Sequence, residues 1–217
     1  MDISNRQFID VAEIAEKELG AEFEEEKSGD DHSNKLIKWE NKHLVPLLDI
    51  VKVRAEPGKI ITFLGHTPSW IDAALNCTVR PNLACLRIPP PIDLWADIPT
   101  PQIGQTNKDG HVSFEITERE DKICMRLIVE TDSGLFTDYE SKWLYRLVLP
   151  EIPQHRHLLI RGNAPNFIPA AVTRGYADWC KSVSLRFHLE KFYTCAVSNS
   201  SDRKIGDLEP CLEVCDE

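Results

Sequence analysis

Apolar residues along the chain fall in short runs separated by polar clusters, and two of these runs open into the same turn. Ile60-Ile61-Thr62-Phe63-Leu64 leads into Gly65-His66-Thr67-Pro68-Ser69-Trp70-Ile71-Asp72-Ala73-Ala74. Leu158-Leu159-Ile160-Arg161 leads into Gly162-Asn163-Ala164-Pro165-Asn166-Phe167-Ile168-Pro169-Ala170-Ala171. Five of the ten positions in the two turns are identical (Gly, Pro, Ile, Ala, Ala), and Trp70 is matched by Phe167. After a gap of helical length each turn is followed by a strand-like segment, Leu83 to Ile88 in the first case and Val183 to Phe187 in the second. The pattern predicts a strand–turn–helix–strand corner, written twice. Gly65 and Gly162 supply the position without a Cβ where the chain turns sharply. Ser69 and Asn166 are residue types that cap helix N-termini. The helices present Trp70, Ala73, Ala74 and Cys77, and Phe167, Ala170, Ala171 and Arg174, as one face each.

The remaining segments are arranged around these corners. Phe8, Val11, Ala12, Ile14, Ala15 and Leu19 recur at helical spacing, with Ser4 and Gln7 as a start signal and Gly20 as a stop. This predicts an N-terminal amphipathic helix. Ala21 to Asn34 is acidic and reads as a solvated linker. Segment 35–55 reads as a strand, a short helix or loop around Pro46, and a further extended piece. Pro89-Pro90-Pro91 ends the strand before it, and a short edge strand fits Leu94 to Ile98. Asn107-Lys108-Asp109-Gly110 is a turn cluster between the halves.

In the second half, Val112 to Ile116 and Ile123 to Val129 around a polar turn form a hairpin signal. Asp138 to Leu149 reads as a helix, and strands follow at 183–188 and 192–197. The expectation is an α+β fold: two tandem copies of a small mixed-sheet unit with strand–Gly-x-x-Pro–helix corners, plus the N-terminal helix. Its divisions are 1–34 (helix and acidic linker), 35–110 (a first, degenerate repeat) and 111–217 (a second repeat).

Charge narrows the function classes. A formal net charge of −10 over 217 residues argues against a general nucleic-acid or membrane binder, which needs a basic surface. Much of the acid lies in Glu22 to Glu26 and Glu213 to Glu217, so the body is closer to neutral and a small anionic ligand remains compatible. No membrane-length apolar run and no cationic leader are present, which points to the cytoplasm. The seven cysteines form no CxxC pair and read as reduced thiols, several of them buried.

Catalytic motifs such as GxSxG, Walker A, GxGxxG and HExxH are absent. A strand–Gly–helix corner can hold a phosphate on its free N–H groups, although Asp72 would oppose an anion and Pro169 removes a donor. His66 sits in the first corner, as a ligand contact, an acid/base or simply a polar turn residue. His155 and His157 would share one face of an extended segment, as an exposed basic edge. A third metal ligand is not found beside them, so neither a metal nor another cofactor is expected. Arg87 and Arg186 match across the two copies, and guanidinium pairs suit phosphates.

The run Leu158 to Ile168, the strand after it, and the closing Ser198-Asn199-Ser200-Ser201-Asp202-Arg203-Lys204-Ile205-Gly206-Asp207 resemble the small CRISPR-associated (Csx-type) ring nucleases of type III systems. The resemblance covers about residues 112 to 209, and the Gly65–Ala74 corner fits the same pattern over a shorter span. It implies a dimeric α+β antiviral accessory protein that holds cyclic tetra-adenylate and cleaves its phosphodiesters. With two copies in one chain, each chain would act as a covalent dimer, and two chains would rebuild the family's sandwich. The family's tail histidine falls on Asn199. Its helix-end histidine falls near Ala177-Asp178 in the second copy and Arg80 in the first, and its strand aspartate near Arg186 to His188 or Ile88-Pro89. Binding therefore carries over better than catalysis, and His66, Asp178 and His188 are left as candidate proton-transfer residues.

The expected ligand contacts are Gly65, His66, Thr67, Arg161, Gly162, Asn163, Arg174, Ser198 and Asn199. The expected function is to bind a cyclic oligoadenylate and cleave or sequester it. The alternative is a non-catalytic interaction module of an antiviral effector complex, docked through the N-terminal helix.

Overall fold

The computed structural model describes residues 4–26, 34–88, 94–104, 112–129, 141–187 and 191–211. The order of elements is β1 (Arg6–Asp10), α1 (Val11–Lys17), β2 (Phe23–Glu26), β3 (Asn34–Ile37), α2 (Asn41–Arg54), β4 (Ile60–Leu64), α3 (Ser69–Thr78), β5 (Ala84–Ile88), β6 (Leu94–Ile98) and β7 (Gln102–Gly104). There follow β8 (Val112–Arg119), β9 (Lys122–Val129), a 3-10 turn (Ser141–Arg146), β10 (Val148–Pro150), β11 (His157–Gly162), α4 (Phe167–Tyr176), β12 (Ser182–Phe187), β13 (Phe192–Ser198) and β14 (Leu208–Pro210). Among the described residues the fold is mixed α and β, with four helices on mixed sheets.

Two sheets dominate. The smaller has the order β1-β4-β5-β6 and the larger the order β14-β13-β12-β11-β9-β8. In the smaller, β1, β4 and β5 are parallel and β6 is antiparallel. In the larger, β9, β11 and β12 are parallel and β13 is antiparallel. The strings β1-β4-β5-β6 and β9-β11-β12-β13 thus share order and direction, and in each a helix joins the second strand to the third. Parallel neighbours need such a crossover, and α3 and α4 supply it.

Helices α3 and α4 pack on each other, and each also reaches the opposite half: α3 touches β12 and β13, and α4 touches β6 and β7. Both are buried on nearly every side, as expected for helices whose apolar residues run all round rather than along one stripe. One continuous apolar cluster runs from Ile9 and Leu47 through Ile71 and Leu75 to Phe167, Ile168 and Leu185. Phe167 stands edge-on to Trp143 with centroids 6.4 Å apart.

Arg174 is part of this junction. Its buried guanidinium donates to Thr100 Oγ1 (2.8 Å), Asn76 O (2.7 Å) and Asn82 O (2.6 Å), all in the first half of the chain. Arg174→Lys should lower unfolding free energy by about 2 kcal/mol in urea titration, because one ammonium cannot reach three acceptors on three segments.

Several expectations need correction. Residues 6–10 form a strand because β4 offers a parallel partner from Arg6↔Ile60 to Asp10↔Leu64, so the N-terminal helix is confined to 11–17. The acidic linker contains β2, which pairs antiparallel with β3, the strand expected at the start of segment 35–55. Segment 41–54 is one helix that carries Pro46 within it, with Leu44, Leu47, Leu48 and Val51 buried at helical spacing. Leu144 is buried in a 3-10 turn and 148–150 is a strand paired to β7, where a longer helix was expected. His155 and His157 do not share a face: His155 is exposed at φ +56 in a turn, and His157 is buried in β11. Cys124 is disulfide-bonded, which overturns the reading of the cysteines as reduced thiols, whereas Cys77, Cys85, Cys180 and Cys195 are free. Pro89–Pro91, the 107–110 turn cluster, residues 138–140, His188 and the acidic C-terminal run lie outside the described residues, as does the Arg87 side chain. Among the described residues no helix is long and apolar enough to cross a membrane.

Candidate functional site

Both repeated bends lie at the carboxyl ends of parallel strands, β4 and β11, where open sheets bind ligands. Each bend turns on a glycine in the left-handed region, Gly65 at φ +108 and Gly162 at φ +146. Because α3 and α4 pack side by side, their N-termini meet. Ser69 Oγ donates to Asn166 Oδ1 at 2.6 Å. The Asn166 amide donates to Thr67 O at 2.9 Å and Asp72 Oδ2 at 2.7 Å. The Thr67 hydroxyl donates to Asp72 Oδ1. The two polar side chains expected as N-caps therefore face each other across the halves, and neither caps its own helix.

Asp72 lies at the centre of this network. It is 5% exposed, and burial pushes its carboxyl up to about 7, against the pull of the Thr67 and Asn166 hydrogen bonds. A carboxyl titrating near neutrality can hold or release a proton under ordinary conditions.

A cleft of about 210 Å³ opens beside it. Gly65, His66 and Thr67 of the first bend and Pro165, Asn166 and Phe167 of the second line it, and Val11, Phe63 and Leu86 add apolar walls. Trp39 Nε1 donates to His66 O at 3.0 Å, fixing the first bend from the segment before α2.

The candidate residues divide among three places. Gly65, His66 and Thr67 line the cleft. Arg161, Gly162 and Asn163 follow one another at the end of β11, with Gly162 pressed against Leu127 and Asn163 exposed. The third group lies at the far end of α4, a ten-residue helix and so about 15 Å from the bend. There Asp178 is exposed and pairs with Arg80 at 2.6 Å. The Asn199 amide donates to Ala177 O (2.5 Å) and Cys180 O (2.9 Å), and Ser198 Oγ to Arg203 O (2.5 Å). With Arg174 committed to backbone and Thr100, these groups hold the helix end together.

Sequence reading weighed Asp72 as a charge opposing an anion at the first corner and missed its place in a network shared by both bends. The signal was a lone acid inside an otherwise apolar helix start, opposite Pro169 in the other copy. No group of three or more metal-ligating side chains converges among the described residues. Comparison with models of known protein families finds no match, and no curated protein matches the sequence.

Proposed function

We propose that the chain is a binding module for a cyclic oligoadenylate, built from two tandem copies of one unit, and that it receives the ligand where the two bends meet. The observation that carries this reading is the convergence of both bends on one cleft, joined by the 2.6 Å Ser69–Asn166 hydrogen bond. The matching order of β1-β4-β5-β6 and β9-β11-β12-β13 supports the duplication. A ligand made of repeated units suits a receptor made of repeated units.

At about 210 Å³ the cleft is smaller than the ~300–1,000 Å³ of pockets that engulf a drug-sized molecule. It would take one base of the ring against Phe63, Leu86 and Phe167, leaving the phosphates at the mouth. Asp72, half-neutral near pH 7, opposes the anion less than a fixed carboxylate would.

Cyclic tetra-adenylate, with cyclic tri- and hexa-adenylate and the linear tetramer as comparisons, tests the reading. A ligand at 100 times its Kd stabilises by about 2.7 kcal/mol, a rise in Tm of about 5–10 °C for a chain of this size. Chromatography of the same samples shows whether the ring is opened. Unchanged melting with all four compounds at tens of micromolar would defeat the proposal.

A further inference from the structure

We propose that two copies of the chain associate by antiparallel pairing of their β8 strands, edge to edge, about a two-fold axis at Thr117. β8 is an outer strand of the larger sheet, and among the described residues it pairs with β9 alone. Such a strand presents a row of unpaired N–H and C=O groups, a template for a further strand. Proteins usually blunt these edges with proline, a bulge, lysine or brevity. The opposite edge, β14, is three residues long and ends in Pro210. β8 runs for eight residues without proline, glycine or lysine. Its pairs with β9, from Val112↔Val129 to Arg119↔Lys122, keep one register throughout. Residues 115 to 119 are exposed one after another, on both faces of the strand. This edge is distinct from the cleft and does not depend on the proposed function.

The occupant follows from the exposed half itself, Glu115-Ile116-Thr117-Glu118-Arg119, whose charges match rather than repel a second copy. Turned about Thr117, the segment sets Glu115 opposite the second copy's Arg119, twice by symmetry, and Thr117 opposite its own equivalent. Opposite charges and threonine pairs are both favourable across antiparallel strands. Glu115, Thr117 and Arg119 share one face of the strand. On the other face Ile116, 36% exposed, comes diagonal to the second copy's Ile116, within reach of an apolar contact. Centring on Glu115 instead would set two carboxylates together. Within its own chain Arg119 faces Lys122, a like charge already ion-paired with Glu209, and makes no ion pair among the described residues. Glu115 meets Arg126 at 3.2 Å with both side chains well exposed, which leaves carboxylate oxygen for a second guanidinium. The pairing gives Arg119 a counter-charge that its own ladder partner cannot. Because the two-fold uses both edges at once, association stops at two.

The test is sedimentation equilibrium of the full chain from about 10 µM to about 1 mM, because a contact of one strand pair is small and its dimer weak. The parent should pass from monomer to dimer in that range. Arg119→Glu, which sets like charges opposite each other at two places, should weaken the dimer about tenfold, and Glu115→Arg likewise. The double swap Glu115→Arg/Arg119→Glu should restore the parent's association, since it gives up the Arg126 contact but regains both pairs between the copies. Thr117→Lys, with two ammonium groups meeting on the axis, should leave a monomer that melts at the parent's temperature. A parent chain that stays monomeric at the highest concentration overturns the proposal. So does a dimer of equal strength in the parent and every variant, or a double swap that associates no better than the single changes.

Discussion

Gly162→Ala should lower the unfolding free energy by at least about 3 kcal/mol, seen as a Tm drop of about 6–12 °C. The glycine closes β11 at φ +146, a conformation that L side chains rarely adopt. An added Cβ would lie on the Leu127 carbonyl oxygen, 3.0 Å from Leu127 Cβ and 3.2 Å from its carbonyl carbon. The obstacle is backbone of a neighbouring strand, which cannot swing aside without breaking the β9–β11 ladder. Gly65→Ala should cost less. Its Cβ would meet Ala12 Cβ at 3.0 Å and Ala12 N at 3.1 Å, at the start of the short helix α1. Ala12→Gly should recover part of that loss, whereas no side-chain deletion at Leu127 can recover Gly162→Ala. Equal stability of the Gly162→Ala and parent chains in guanidinium titration would contradict the geometry.

Asp72→Asn should remove a pH dependence worth on the order of 4 kcal/mol. A buried carboxyl whose value stands at about 7 rather than the usual 3.8 binds its proton more tightly in the folded chain than in the unfolded one. Its contribution is complete below about pH 4, falls as pH rises towards 7, and stays lost above that. Paired carboxylates elsewhere slope the other way, so the informative quantity is the difference between variant and parent. The two should agree within about 1 kcal/mol at pH 4, and the variant should gain steadily up to pH 8. Asparagine can keep the network: its oxygen accepts from the Asn166 amide, and its amide donates to Thr67 once that hydroxyl rotates. A difference that does not change between pH 4 and pH 8 would show that Asp72 does not titrate in that range.

Where sequence reading succeeded, local pattern and tertiary demand agreed. The runs at 60–64 and 158–160, the apolar helices after the two bends and the strands after those helices all formed where their spacing placed them. Where it failed, a local signal competed with a partner distant in sequence. Phe8, Val11 and Ala12 fit a helical spacing, yet Phe8 stands in a strand because β4 needed a neighbour. In α2, Pro46 and the run Ile50-Val51 with Val53 suggested extended chain and obscured the stripe of Leu44, Leu47, Leu48 and Val51, which packing selected.

The site was legible only as two separate bends. That Asn166 would be bonded to Thr67 and Asp72, almost a hundred positions earlier, follows from the packing of α3 on α4, which no spacing along the chain encodes. Arg174 shows the same limit: a basic residue late in an apolar helix suggests a ligand contact, but it binds carbonyls of the other half.

Since α3 rests on β12 and β13 while α4 rests on β6 and β7, each half supplies part of the other's dry interior. A chain divided between them would leave two fragments with oily flanks, prone to find each other or to precipitate. If the two halves began as one gene fused to its copy, their inner surfaces have had to change in step ever since. Only their outward sides would have been at liberty to diverge.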